Sequence, residues 1–252
     1  MSKAEKLDRL IADQLKAELP REAVIGRQVI VLEQTSSTND AILDFACPQR
    51  PAVASLPAVA SAKEGPPSLV DEGLVLFAEH QTAGRGQRGN RWDSAAGKGL
   101  WFSILLRPEI QLSDSGRLTI WAIEAISEVI RFQFGLEPAV KLPNDVQLYG
   151  HKVAGVLVEM RALDKGPHLA VVGIGINVNQ CRDDFPTELQ DRAISLTMAL
   201  GRVVDRQNFA VALLRNLDLT YREKFSKAGV VSNSHPAPTT TYDNRGAKFR
   251  TA

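Results

Sequence analysis

The densest cluster of chemically useful residues lies at 79–92, EHQTAGRGQRGNRW, where Gly84, Gly86 and Gly89 stand among Arg85, Arg88 and Arg91. Glycine backbones can gather N–H groups around an anion, and arginines add permanent charge and forked donors. The apolar runs LVLFA before it and LWFSILL after it make this a loop between two strands. It suits a phosphate or a carboxylate; the plainer reading is a solvated basic turn. The spelling GRGQRG at 84–89 also satisfies GxGxxG. That pattern marks a dinucleotide site only when a helix opens at the third glycine, and here a second strand follows. No GxxxxGK[ST] loop and no HRD or DFG kinase motif occurs anywhere in the chain.

Further polar residues recur beside strands. Lys141 opens KLPND at 141–145, and His151 and Lys152 precede the strand VAGVLVE. Gly155 lets a ligand or another backbone approach that strand closely. Each signal has an ordinary alternative: Ser36, Ser37 and Thr38 a helix cap, Asn144 and Asp145 an Asx turn, Lys152 a solvated lysine. Gly173 and Gly175 in VVGIGINVN read equally as a bulged strand.

The elements that must position these residues follow from periodicity. Leu7, Leu10, Ile11, Leu15 and Leu19 predict a helix over Lys3–Leu19, stopped by Pro20. A strand at Val29–Glu33 precedes a helix beginning near Asn39. Residues 46–72, rich in Pro, Ala and Ser, read as a long surface loop. Strands at Gly73–His80 and Leu100–Pro108 flank the Gly/Arg loop, and a long helix capped by Ser113 or Asp114 ends at Gly135. A dense β region then runs from Ala139 through VQLYG and HKVAGVLVEM, turns at Asp164–Gly166 and continues as HLAVVGIGINVN. Helices return at Leu189–Leu200 and, capped by Asp205, run to Phe225; the residues from Lys227 lack periodicity. Interleaved hairpins and single helices predict an α+β domain whose sheet is mixed or antiparallel and flanked by helices.

Composition narrows the partners. The 252 residues are 44% hydrophobic with a formal net charge of +1, so no overall basic field points to nucleic acid. Cys47 and Cys181 stand alone, which supports neither a disulfide framework nor a zinc site. No signal-peptide core and no apolar run of membrane length is present, so the expected location is cytoplasmic.

In combination the motifs are far more specific than singly. SSTND at 36–40, EHQTAGRGQRGNRW at 79–92, KLPND at 141–145, HKVAGVLVE at 151–159 and GIGINVN at 173–179 occur in one order, and over about residues 30–220 the chain resembles the biotin protein ligases. The resemblance implies a class II synthetase-like biotin/lipoate ligase catalytic domain at 1–226, with 227–252 an irregular tail where members carry a small SH3-like domain, absent or truncated here. It implies a reaction in which biotin is adenylated by ATP with Mg²⁺ and passed to a lysine of a biotin carboxyl carrier protein of acetyl-CoA carboxylase or a related carboxylase. Ser37, Thr38, Asn39 and Gln81 would meet the ureido head. Arg85, Gly86, Gln87 and Lys152 would lie at the biotin carboxylate and the α-phosphate, with Gly155 leaving room for the ligand and the Gly/Arg loop closing as a lid. Arg88, Trp92, Asn144, Lys152 and Asn177 would serve ATP, and Asp145 would assist proton loss from the carrier lysine.

Three departures stand out. Gln87 replaces a frequent arginine, Leu142 replaces the tryptophan of KWPND and would alter one wall of the pocket, and the C-terminal domain is expected to be absent or truncated. About 28 residues precede the first strand, too few for a winged helix-turn-helix, so neither DNA nor a membrane is an expected partner, and the protein is expected as a monomer or homodimer. The competing readings are a lipoate or octanoate ligase or transferase of the same fold and a catalytically impaired biotin-binding module.

Overall fold

The computed structural model describes residues 8–46, 72–163 and 167–225. Of the loop expected at 46–72 only Ala46 and Glu72 fall within these, and the turn at Asp164–Gly166, Cys47 and the tail at 227–252 lie outside them. In chain order the elements are α1 (Ala12–Ala17), β1 (Gln28–Thr35), α2 (Thr38–Ala46), β2 (Leu74–Gln81), β3 (Gly99–Leu106), α3 (Ser115–Phe134), β4 (Ala139–Lys141), β5 (Asp145–Leu148), β6 (His151–Arg161), β7 (Leu169–Asn177), α4 (Leu196–Leu200) and α5 (Arg206–Phe225). The seven strands form one sheet in the order β1-β2-β3-β7-β6-β5-β4. Only β1 and β2 pair in parallel, and every other neighbouring pair is antiparallel, so the sheet is mixed as expected.

Strict alternation along the central strands gives the sheet two unlike faces. On one, Val75, Phe77, Leu100, Phe102, Ile104, Val172, Ile174 and Ile176 pack with α3 and α5 into the main core. On the other, Leu74, Leu76, Leu105, Leu169 and Val171 pack beneath the apolar side of α2. Further along this second face the side chains become small or polar. Antiparallel register sets Trp101, Gly175 and Gly155 in one row and Ser103, Gly173 and Leu157 in the next. These two rows are the floor of the site described below.

Several element boundaries differ from expectation for tertiary reasons. The first helix covers only Ala12–Ala17, because the preceding residues are held elsewhere: Leu10 N–H donates to Glu79 Oε1 at 2.9 Å, and Arg206 donates to the Asp8 carbonyl. The helix expected at Leu189–Leu200 is reduced to α4, which starts where Ser195 Oγ accepts from Met198 N. Asp114 precedes α3 without a capping side-chain bond, since a tight turn at Leu112–Asp114 leads into that helix. Gly135 does end α3, in the left-handed conformation that favours glycine, and Asp205 does cap α5, its Oδ1 accepting from Asn208 N at 2.9 Å.

Two buried carboxylates tie α5 to the rest. Asp218, 1% exposed, accepts from Val24 N at 2.7 Å and Ile25 N at 2.9 Å. Arg206, also 1% exposed, donates from Nη1 to Glu79 Oε2 at 2.8 Å and to the Gly99 carbonyl at 3.0 Å. Removing one member of a buried ion pair strands the other charge in a poorly solvating interior. Arg206→Ala is therefore expected to destabilise the fold by about 3–5 kcal/mol in urea denaturation, and the double change Glu79→Leu with Arg206→Met by clearly less.

Candidate active site

The site begins with glycines that make space. A Cβ at Gly175 would lie 2.5 Å from the Trp92 ring, one at Gly155 would lie 2.8 Å from the same ring, and one at Gly173 would lie 2.2 Å from Asn39 Oδ1. The floor is thus hollowed to seat one aromatic and one carboxamide. Trp92 packs edge-on against Trp101 at 6.0 Å, and its Nε1 is buried without a hydrogen-bond partner.

At the inner end the start of α2 supplies Ser37, Thr38 and Asn39, all 3–4% exposed. Thr38 N–H donates to Gln81 Oε1 at 2.9 Å, and Gln81 Nε2 donates to Ser94 Oγ at 2.9 Å. Ser103 Oγ donates to Asn39 Oδ1 at 2.6 Å and lies 2.8 Å from Thr38 Oγ1. Asn39 Nδ2 donates to Glu159 Oε2 at 2.6 Å. A buried network so completely bonded fixes the orientation of each amide.

At the rim stand two cations. Arg85 holds Glu159 with both terminal nitrogens, at 2.9 and 2.8 Å, and reaches Asp40 Oδ1 at 3.0 Å. Burial opposes the charged form of Arg85, but its hydrogen bonds to Glu159 and the charges of Glu159 and Asp40 outweigh it and raise its pKa. Burial likewise works against ionised Glu159, yet the donors Arg85 and Asn39, with the charge of Arg161, hold its pKa below the usual carboxylate value. Lys152 Nζ pairs with Asp145 Oδ1 at 2.6 Å and sits 5.1 Å above the Trp92 ring, a cation–π distance.

Lys152 and Gly155 are three apart and would face opposite ways on a regular strand. A bulge resolves this: β5 pairs Val146 with Ala154 and Gln147 with Lys152, so that Val153 and Ala154 both enter the core. The Lys152 backbone is fixed by the loop before α4, through Lys152 N to Arg192 O at 2.8 Å and Ile194 N to Lys152 O at 3.0 Å.

Two adjoining cavities result. The inner one is lined by Thr38, Asn39, Gln81, Arg85, Trp92 and Lys152, together with Ser37, Gly86, Asn144 and Gly155, and leaves about 40 Å³ open. The outer one, about 490 Å³, is lined by Lys141, Asp145, Asn177, Arg91 and Arg192, again with Trp92 and Lys152. Most residues singled out from the sequence therefore meet here. Gln87 and Arg88 line neither cavity, and Arg88 is exposed. Leu142 is 69% exposed and lines neither, so it forms no wall of the pocket.

Within the Gly/Arg loop Gly86 N donates to Asn90 O at 2.7 Å, Asn90 N to Gln87 O at 3.1 Å and Trp92 N to Gly84 O at 2.9 Å. Trp92 packs over Gly155. Asn177 Nδ2 is shared between the carbonyls of Lys152 and Ile194, at 3.3 and 3.2 Å, and Asn144 Nδ2 donates to Val156 O at 3.0 Å, so both amides brace β6 while Asn144 lines the inner cavity and Asn177 the outer. The sequence reading missed Glu159, Asp40, Ser94 and Ser103. The two-residue spacing Gly155, Leu157, Glu159 was a legible signal that this carboxylate shares the site face.

Comparison with known proteins fits this geometry. The model of the Biotin/lipoate A/B protein ligase family matches residues 58–177. The biotin--[acetyl-CoA-carboxylase] ligase of Mycobacterium tuberculosis is 33% identical over 207 residues, 79% of this chain and 67% of that protein. The chain belongs to the biotin/lipoate A/B protein ligase family. Another family member, the bifunctional ligase/repressor BirA of Bacillus spizizenii, is 41% identical over 152 residues, 60% of this chain; the match spans only about half, 47%, of that protein's length. The biotin protein ligase of Aquifex aeolicus, solved with biotin and ATP, has 30% identity and a TM-score of 0.60, covering 80% of this chain and 75% of that one. The seven-stranded mixed sheet is the class II synthetase-like fold of the family's ligases.

The seating of Trp92 is open to test. Gly175→Ala is expected to cost about 1–3 kcal/mol by overpacking and to shift tryptophan emission to the red as Trp92 is expelled into water. Unchanged emission would show that Trp92 does not rest on Gly175.

Proposed function

We propose that this chain is an ATP-dependent biotin ligase that forms biotinyl-5'-AMP and transfers biotin to a lysine of a biotin carboxyl carrier protein. One observation carries the reading: Lys152 lines both cavities, so its ammonium stands where a ligand in the inner cavity would meet one in the outer. Two anions must approach one another there, and a positioned cation lowers the cost of that approach. The relatives named for biotin ligation and the Aquifex structure with biotin and ATP support the same assignment.

The inner cavity suits the ureido head. Asn39, Thr38 and Gln81 offer both donors and acceptors in a buried setting, and a ureido ring needs both. The dithiolane of lipoate and the alkyl chain of octanoate would leave these groups unpaired, at a penalty large enough to discriminate. Trp92 Nε1, buried without a partner beside this cavity, offers a donor that a ligand's acceptor would meet.

In the first step a carboxylate oxygen of biotin attacks the α-phosphorus of ATP and the bond to pyrophosphate breaks. Lys152 and Arg85 neutralise the charge gathering on the oxygens, while Lys141, Arg91 and Arg192 line the nucleotide side. Among the described residues no group of three or more His, Cys, Asp or Glu is placed to hold a metal ion, so Mg²⁺ would arrive as its ATP complex, held by phosphate oxygens. In the second step the carrier lysine nitrogen attacks the acyl carbon, the bond to phosphate breaks and AMP leaves. Asp145 is the proposed acceptor of the lysine's proton. Gln87 lacks the charge of an arginine, which weakens retention of the adenylate by the loop. No helix among the described residues is long and apolar enough to cross a membrane. We assign the reaction to the cytoplasm and the catalytic unit to residues 1–226.

Biotin-dependent ATP–pyrophosphate exchange by the purified chain tests the assignment directly. Exchange is expected with biotin and not with lipoate or octanoate, and the reverse pattern would overturn it. Lys152→Ala is expected to slow exchange by on the order of 100-fold or more, with the circular dichroism spectrum unchanged. Near-normal exchange would remove Lys152 from the catalytic role.

A further inference from the structure

Among the described residues, Glu159 is the one carboxylate that touches both ends of the inner cavity. Its Oε2 accepts from Asn39 Nδ2 at 2.6 Å at the buried end, and both of its oxygens accept from Arg85 at 2.8–2.9 Å at the rim. A carboxylate only accepts, so it forces the Asn39 amide to turn its nitrogen toward β6 and its oxygen toward Ser103, which donates at 2.6 Å. That orientation leaves Asn39 one N–H and one lone pair of fixed direction. The fork from Arg85 uses one proton of Nη1, and Nη2 is shared between Glu159 and Asp40, so the second Nη1 proton and Nε–H remain. One side chain thereby sets how the pocket presents hydrogen bonds to the ligand's head and where it holds the cation beside the ligand's tail.

We propose that Glu159 is a positioning residue for biotin, acting through Asn39 at the ureido end and through Arg85 at the carboxylate end. This rests on the biotin reading of the site. Leucine at 159 keeps most of the volume but supplies no acceptor oxygen to Asn39 Nδ2 or to Arg85. The fixed orientation of Asn39 is then lost.

Biotin and ATP KM and kcat are measured by pyrophosphate exchange for the wild type, Glu159→Leu, Asn39→Ala and the double variant. Glu159→Leu is expected to raise the biotin KM by about tenfold or more and to lower kcat, with the ATP KM changed by less than about twofold. In the Asn39→Ala background the same change is expected to raise the biotin KM by less than about threefold, because its route to the ureido head is already gone. Equal effects in both backgrounds, or parallel rises in both KM values, would assign Glu159 a merely structural part and overturn the proposal. A wild type without biotin-dependent exchange would instead overturn the functional reading itself. A readout independent of any folding defect comes from NMR of the wild type. The Asn39 carboxamide is expected to show one downfield proton protected from exchange, and a pair in which both protons exchange as fast as those of a solvent-exposed asparagine would also overturn the proposal.

Discussion

The absence of side chains at three neighbouring positions of the sheet is the constraint on which the rest of the site depends. Gly155, Gly173 and Gly175 lie on the face opposite the α3–α5 core, and any Cβ there would collide with Trp92 or Asn39. A β-sheet is ordinarily a convex wall of side chains; here its centre is bare backbone. The hollow receives the indole and the carboxamide, and these become the inner cavity's surface. The strands themselves lose little, because their other face carries Val172, Ile174, Ile176 and Val156 into the main core. Stability and function are thereby separated by the two-residue period of the strand.

The second organising feature is the pairing of the two cations that line the inner cavity, Arg85 and Lys152. Arg85 is held by Glu159 and Asp40, and Lys152 by Asp145. A cation placed in advance needs no reorganisation when charge develops on a phosphoryl oxygen, which is where such groups contribute most. The pairing also restrains long side chains that would otherwise sample many rotamers. In the proposed reaction these pairs have a context: the acyl-adenylate would form where the ammonium of Lys152 joins the two cavities.

Local sequence carried much of this. The strands flanking the Gly/Arg loop, the long helix ending at Gly135 and the Asp205 cap follow from periodicity and turn chemistry acting within a few residues. The motif residues Ser37, Thr38, Asn39, Gln81, Arg85, Gly86, Lys152 and Gly155 were marked by their types and order, and they do line one cavity. Expectations failed where a distant partner competed with local preference. Residues 8–11 have helical periodicity, yet Glu79 and Arg206 hold Asp8 and Leu10 outside the helix.

By itself, then, the sequence determined the alternation that buries one face of the sheet, the glycines that hollow the other, and the cations available to meet an anion. These are properties of residue type and spacing, and they survive any arrangement that keeps the strands. What only the tertiary structure decided was direction and partnership. The bulge opposite Val146 and Gln147 turns Lys152 to the same side as Gly155 against the regular alternation. The register of β6 and β7 beside α2 brings Glu159 to Asn39 across 120 residues of sequence. Neither follows from local pattern, because a bulge depends on how the neighbouring strand pairs and a long-range hydrogen bond depends on three elements docking at once.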